Sequence, residues 1–462
     1  MPLEIKEIIL ELEWALEKRD FSRIRDTLID WPALDVANLL GNFSYEDRVL
    51  LFRCLPRPLA TQTFEYLSLD KQQALLKGMA SDEISVILNA MAPDDRTVLF
   101  EELPGVATKQ MLNLLSPEER AVAILLLGYP DGSVGRLMTP DYLYVHPEWS
   151  VQKVLDHIRE HGQDSETLNV IYIVNNRGIL IDDLRMRVFL LAPLTSLVSD
   201  IMDTHFTSLK ATDMQVSAVP VFRRSGLTAL PVTDSDGMLI GIVTIDDVLD
   251  VAEATATDKI QKIGGSGALH EPYITVSFRK MIKKRAGWLM VLFLGELLTA
   301  VVMGFFEQKI AQALVLALFI PLIISSGGNA GSQAATLVIR ALSLGEVGVS
   351  QWWKIMKREL LIGFTLGGIL GGMGFLKIAA VSLFIPIYGP HWALVGFTVG
   401  ISLVGIVLWG SLTGSMLPLL SQRFGADPAA SSAPLVATLV DVTGLAIYFG
   451  VAMWILKGTL LL

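Results

Sequence analysis

Three textures of hydrophobic and polar positions follow one another along the chain. Up to about residue 130, short apolar runs such as Val49-Leu-Leu-Phe52 and Val98-Leu-Phe100 alternate with acidic clusters. Four clusters are versions of one block, spaced 24 residues apart: Ser44-Tyr-Glu-Asp-Arg48, Ser68-Leu-Asp-Lys-Gln72, Ala92-Pro-Asp-Asp-Arg96 and Ser116-Pro-Glu-Glu-Arg120. A small or capping residue followed by acids starts a helix, because it satisfies free amides and the carboxylates favour the positive end of the helix dipole. Short helices at a fixed period stack into an α-solenoid, which is the expectation for residues 1–132.

From about Leu137 the pattern changes. Val170-Ile-Tyr-Ile-Val174 and Leu239-Ile-Gly-Ile-Val-Thr244 are short β-branched runs, each beside a turn signal, Asn175-Asn-Arg-Gly178 and Asp234-Ser-Asp-Gly237. Helical stretches at Val151–His161 and Ile245–Ala254 alternate with them, so an α/β unit is expected twice within 133–260. The two halves carry Met138-Thr-Pro140 and Ile201-Met-Asp203 and resemble a tandem CBS pair. A connecting helix is expected over 250–280.

Residues 281–462 form the third texture. Apolar stretches run roughly Ala286–Phe306, Ala311–Ala341, Leu360–Pro386, Trp392–Leu420 and Pro434–Leu462. Each exceeds the ~20 residues that cross a bilayer core, so five transmembrane helices are expected. The fold class is thus multi-domain: a helical solenoid, an α/β pair and a polytopic α-helical membrane domain.

Charge sharpens this division. Of 37 Lys+Arg and 47 Asp+Glu, only 8 and 6 lie from Ala286 onward, so the first 285 residues carry −12 and the remainder +2. An acidic soluble part excludes nucleic acid as a partner and suits cations. The lone Cys54 excludes an intramolecular disulfide, and the charged start lacks the apolar core of a signal peptide. Arg279, Lys280, Lys283, Lys284 and Arg285 precede the first span, and Lys354, Lys357 and Arg358 separate the second from the third. Positive loops stay inside, which predicts a cytoplasmic N-terminus and, after five spans, an external C-terminus.

The candidate chemistry lies in two places. Asp441 sits inside the last span, three residues from Thr438 and three from Gly444, and Glu296 lies mid-way along the first. A mid-membrane carboxylate costs ~2.5–3.5 kcal/mol on insertion scales and marks a functional site by default. The second span contains Pro321-Leu-Ile-Ile-Ser-Ser-Gly-Gly-Asn-Ala-Gly-Ser-Gln-Ala-Ala-Thr336. Gly327 and Gly331 permit close helix approach, Pro321 and Gly327-Gly328 can break the helix and free carbonyls, and the Asn329 and Gln333 amides share a face. Gly363/Gly367/Gly371, Gly396/Gly400 and Gly410/Gly414 read as packing seams. No Cys or His lies in the spans, which disfavours soft metals, whereas a carboxylate with amides and carbonyls suits a hard cation such as Mg²⁺. A secondary transporter for an anionic solute would want a mid-membrane cation, for which Lys377 is the candidate. No nucleophile–base pair marks an enzyme. His157-Ile-Arg-Glu-His161 fits a zinc-protease pattern but reads as a solvated helix face.

Gly327-Gly-Asn-Ala-Gly-Ser-Gln333 together with Pro434…Asp441-Val-Thr-Gly444 resembles the MgtE family of Mg²⁺ channels and transporters, and the order of parts agrees over essentially the whole chain. The resemblance implies a homodimer in the inner membrane, with lipid around it and a pore on the two-fold axis. Asp441 would bind hydrated Mg²⁺, and Gly327, Gly328, Asn329, Gln333, Pro434 and Thr438 would line the path. It implies regulatory Mg²⁺ at Asp94, Asp95, Asp246, Asp247, Asp250, Glu253 and Asp258, closing the pore, although Thr255 and Lys259 interrupt this acidic run. Some family members bind ATP in the CBS pair. Gly241-Ile-Val-Thr-Ile-Asp246 keeps the nucleotide-type pattern and Ile181–Val188 does not, which argues against ATP here.

Overall fold

The computed structural model describes residues 3–269, 273 and 276–461, and divides into two compact units, Met1–Ala252 and Glu253–Leu462.

In the first unit each 24-residue block opens a helix: Tyr45–Arg53, Leu69–Gly78, Pro93–Glu102 and Pro117–Leu127. Ser44 and Ser116 cap through their hydroxyls, accepting from the Asp47 and Glu119 amides. Between them lies a second series, Ala33–Leu40, Arg57–Glu65, Ser81–Ala90 and Gly105–Leu112, on the same period. Each repeat is therefore a helix pair, which the block pattern did not reveal. The last residue of every block ties the pair together. Arg48, Gln72, Arg96 and Arg120 each donate to the carbonyl eight residues earlier, on Leu40, Phe64, Leu88 and Leu112. These side chains satisfy carbonyls that the preceding helix leaves free at its C-terminus. Arg96 is fully buried at 0% exposure and pairs through its second Nη with Glu119.

The CBS units repeat one topology. Strands β1 (Tyr144–Val145), β2 (Val170–Val174) and β3 (Leu180–Arg185) form a sheet in that order, parallel then antiparallel. Strands β4 (Leu209–Lys210), β5 (Ala229–Thr233) and β6 (Leu239–Thr244) repeat it. In the two hairpins Asn175 Oδ1 and Asp234 Oδ1 accept turn amides, and Gly178 and Gly237 take the left-handed backbone at φ +78° and +82°. The hairpins then pair with each other, Leu180 N donating to Gly237 O and Leu239 N to Gly178 O, which relates the halves by a pseudo-two-fold.

The helix leaving β6 spans Ile245–Ile263 rather than continuing to 280. Gly264 and Gly265 end it, the latter at φ +74°. Residues 270–272 and 274–275 of the expected connecting helix lie outside the described residues.

Among the described residues of the second unit, five helical stretches are long and apolar enough to cross a membrane: Phe278–Phe305, Leu314–Ser343, Val349–Phe384, Trp392–Arg423 and Ala433–Leu456. They are called the first to fifth membrane helices below. The glycine seams are packing seams. A Cβ on Gly363, Gly367 or Gly371 would strike Leu408, Val404 or Gly400 of the fourth helix. One on Gly410 or Gly414 would strike the carbonyls of Gly327 and Gly331 on the second. The second membrane helix is not broken as its sequence suggested. It is α-helical from Ile320 to Ser343, because Pro321 falls in the first turn, where its missing N–H costs nothing. Gly327 and Gly331 are spent on close approach instead. The first membrane helix stands apart: none of its side chains is buried. It rests on the fifth, through Trp288 Nε1 donating to Ser432 Oγ at 3.1 Å and Phe306 stacked on Phe449 at 4.7 Å.

Candidate functional sites in the two units

Within the first unit, the repeat domain and the CBS pair enclose a cavity of about 1270 Å³. Asp94 and Asp95 reach it from the first turn of their repeat helix, and Asp246, Asp247 and Asp250 from the first turns of the helix after β6. Asp250 lies four residues from Asp246 and three from Asp247, which puts both beside it on the helix surface. Five further acids that the sequence did not single out join them: Glu65, Glu119, Asp141, Asp164 and Glu166. Ten carboxyls thus face one cavity whose lining holds Arg57 as its basic side chain.

Burial and mutual repulsion shape this set. Asp94 is 5% exposed and its Oδ1 has no hydrogen-bond partner. Its carboxyl is pushed well above the usual range by desolvation, then by Asp247, Asp95 and Glu166. Asp95 is raised to about 7 by desolvation and by Glu65. Asp247 is raised to about 6 by desolvation, although the Thr244 hydroxyl donates to it. Burial also raises Glu65, Glu166 and Asp141. A buried, unpaired carboxylate is costly, and it is relieved either by a proton or by a cation. Among the described residues no three acids converge on a single ion position. A cation that keeps its water shell needs no such convergence.

Glu253 and Asp258 lie further along the same helix and do not line the cavity. Glu253 is exposed. Asp258 pairs with Lys262 at 2.7 Å, and Lys262 also bonds Asp427 at 2.9 Å in the loop before the fifth membrane helix. That pairing raises the Lys262 ammonium and lowers Asp427.

In the membrane unit Asp441 packs against the second helix where Gly328 leaves room: a Cβ there would lie 3.4 Å from Asp441 Oδ1. Gly327 and Gly328 are buried in the seam with the fourth and fifth helices. Asn329 and Gln333 are exposed in the single chain, in one polar stripe with Ser325 and Thr336, and Asn329 Nδ2 donates to Ser325 Oγ. Thr438 gives its hydroxyl to the Pro434 carbonyl and lies under Gly295 of the first helix. Pro434 itself lies against the Gly265 turn. His157 and His161 stack on one another at 4.5 Å on a half-exposed helix face.

A helical repeat domain, a CBS pair and five membrane-crossing helices define a multi-pass membrane protein with CBS domains. Three sequence profiles agree: an MgtE intracellular N domain over residues 31–132, CBS domains over 134–182 and 198–254, and a divalent cation transporter over 320–451. The Magnesium transporter MgtE of Thermus thermophilus is 33% identical over 98% of this chain and 99% of its own length. That of Bacillus subtilis is 28% identical over 93% and 96%. The crystal structure of the cytosolic domain of the Mg²⁺ channel MgtE in complex with ATP matches 53% of this chain and 99% of its own, at TM-score 0.51 and 30% identity. The chain belongs to the MgtE family.

Proposed function

We propose that this protein moves Mg²⁺ across the inner membrane as a homodimer, through a path formed by the second and fifth membrane helices, and that cytoplasmic Mg²⁺ in the acidic cavity closes it. The observation that carries the reading is Asp441, a mid-span carboxylate seated at Gly328 beside the exposed amide stripe of Asn329 and Gln333. Carboxylate and amide oxygens with retained waters suit a hard divalent cation. A polar stripe facing lipid would be costly, so a second copy or a water-filled path covers it. The test is Mg²⁺ flux into liposomes containing the purified full chain, with and without a membrane potential. Absence of flux under both conditions rejects the reading.

The regulatory reading rests on the ten-acid cavity. The 19-residue helix Ile245–Ile263 carries Asp246, Asp247 and Asp250 at its start and Lys262 at its end. A cation held at the first turn thus bears on the Lys262–Asp427 contact at the last. ATP is not required by this reading.

Two expected results follow. The first concerns acid and cation together. Asp95 at about 7 and Asp247 at about 6 lie above their ordinary value of 3.8, so the folded unit holds protons that the unfolded chain releases. Stability is then full below about pH 4 on this account and falls as pH rises through about 6 to 7. In a chelator, Tm of the full chain is expected to drop between pH 5.5 and 8. At pH 8, millimolar Mg²⁺ restores it, by roughly 2–4 °C per kcal/mol of binding energy for a domain of this size. Differential scanning fluorimetry reads this, and a Tm indifferent to Mg²⁺ at pH 8 contradicts a cation site. The second concerns topology. A reporter fused after Leu462 is expected outside and one within 342–350 inside, from the Lys/Arg asymmetry of the loops.

A further inference from the structure

The packing of the first membrane helix on the fifth has a fixed register. Trp288 bonds Ser432, Gly295 abuts Thr438 and Phe306 stacks on Phe449, pairs separated by 143 or 144 residues. The two helices therefore run parallel, and the same offset sets Glu296 opposite Leu439 and Val440, within two residues of Asp441. Gly295 sets the lateral distance, since a Cβ there would come 2.8 Å from Thr438 Cγ2. Thr438 is three residues from Asp441 and so on its face. Glu296 is within electrostatic reach of Asp441. No Lys or Arg among the described residues forms an ion pair with either carboxylate. One turn further on, Thr299 Oγ1 is shielded from solvent without a hydrogen-bond partner, which extends an unsatisfied polar face beyond Glu296.

Two carboxylates at nearly one depth, with no Lys or Arg ion pair among the described residues, are a poor arrangement for a bilayer and a good one for a divalent cation. One Glu exposed on a span costs insertion energy with no packing return. We infer that Glu296 is a second ion-binding carboxylate of the path, holding the water shell of a divalent cation from the first helix while Asp441 holds it from the fifth. This rests on the proposed Mg²⁺ transport. It gives the first helix, whose Glu296 the sequence had marked as a candidate, a share in an ion site that the family resemblance placed on the second and fifth. A hydrated Mg²⁺ accepts one or two carboxylates and keeps its other waters, so two acids can share it without touching each other.

The test is Mg²⁺ flux of the full chain in liposomes, measured against external Mg²⁺, for wild type, Glu296→Gln and Glu296→Asp. Gln keeps the shape of Glu and one acceptor oxygen, and removes the charge. The half-saturating Mg²⁺ concentration is expected to rise about tenfold in Glu296→Gln. Glu296→Asp, which keeps charge at shorter reach, is expected to recover part of that loss. Wild-type half-saturation in Glu296→Gln overturns the inference, as does a lower maximal flux at unchanged half-saturation, which would mark a packing role. If the Gln variant fails to insert, Glu296→Asp decides: a wild-type half-saturation there overturns the inference. Absence of flux in the wild type would instead reject the transport reading itself.

Discussion

Asp441→Asn is expected to abolish Mg²⁺ flux while leaving the protein inserted and its elution profile unchanged. A divalent ion about 5 Å from a carboxylate gains roughly 7 kcal/mol at an effective dielectric of 20. Losing even a third of that lowers site occupancy more than tenfold. The substitution adds no bulk, so Gly328 still fits against it, and the helix seam that Gly327 and Gly331 make with Gly410 and Gly414 is untouched. Asp441→Ala is expected to fail equally, which separates loss of charge from loss of shape. Flux assays on purified, liposome-inserted protein decide it, and wild-type transport by the Asn variant would remove Asp441 from the ion path.

What the sequence disclosed and what it hid divide along a physical line. Local signals were legible. The 24-residue blocks announced helix starts because a cap and its following acids act within one turn, and all four do open helices. Five apolar stretches announced five membrane helices because the bilayer sets their length. Hidden were features that depend on residues far apart. Two helices of the other series follow Pro56 and Pro104 with no acid in the first turn and so left no mark. The one after Ala80 does open with Ser81, Asp82 and Glu83 but lies outside the 24-residue register of the four blocks. The role of Arg48, Gln72, Arg96 and Arg120 as caps on a preceding helix needs the turn geometry between the two. Glu65, Glu119, Asp141, Asp164 and Glu166 come from four separate segments and meet Asp94 only in the folded unit. Asp258 shows the reverse. It belongs to the same acidic run as Asp246, yet Lys262 four residues on claims it, and at ~1.5 Å per residue it lies ~18 Å along the helix from Asp246. The second helix teaches a similar lesson: Pro and Gly inside an apolar stretch signal a break only if nothing else uses them, and here a first turn and a close seam do.

The largest regulatory effect is expected from neutralising Asp95, Asp247 and Asp250 together, as Asn. All three line the acidic cavity, and Asp247 and Asp250 stand on the helix that ends at Lys262. Burial first, and then the repulsion of neighbouring carboxyls, raises Asp94, Asp95 and Asp247 when no cation is present. A cation that fills the cavity removes the repulsion and favours the compact arrangement by its differential affinity for it, and by no more than that. Several hydrated ions binding together make the response steep in Mg²⁺. The triple variant should therefore stay conducting at internal Mg²⁺ concentrations that close the wild type, its inhibition curve shifted by tenfold or more, because most of the charge that distinguishes the two states is gone. Patch currents or flux recorded across a series of internal Mg²⁺ concentrations measure the shift. Lys262→Gln provides a second, independent cut. It leaves all ten acids of the cavity in place and removes both ion pairs at the other end of the helix, with Asp258 and with Asp427. If the helix transmits closure, this variant binds Mg²⁺ in the cavity as the wild type does, read as the Mg²⁺-dependent rise in Tm at pH 8, yet closes less completely. An unchanged inhibition curve in the triple variant would leave the acids as a solubilising surface. Normal closure in Lys262→Gln would route the coupling through some contact other than Asp427.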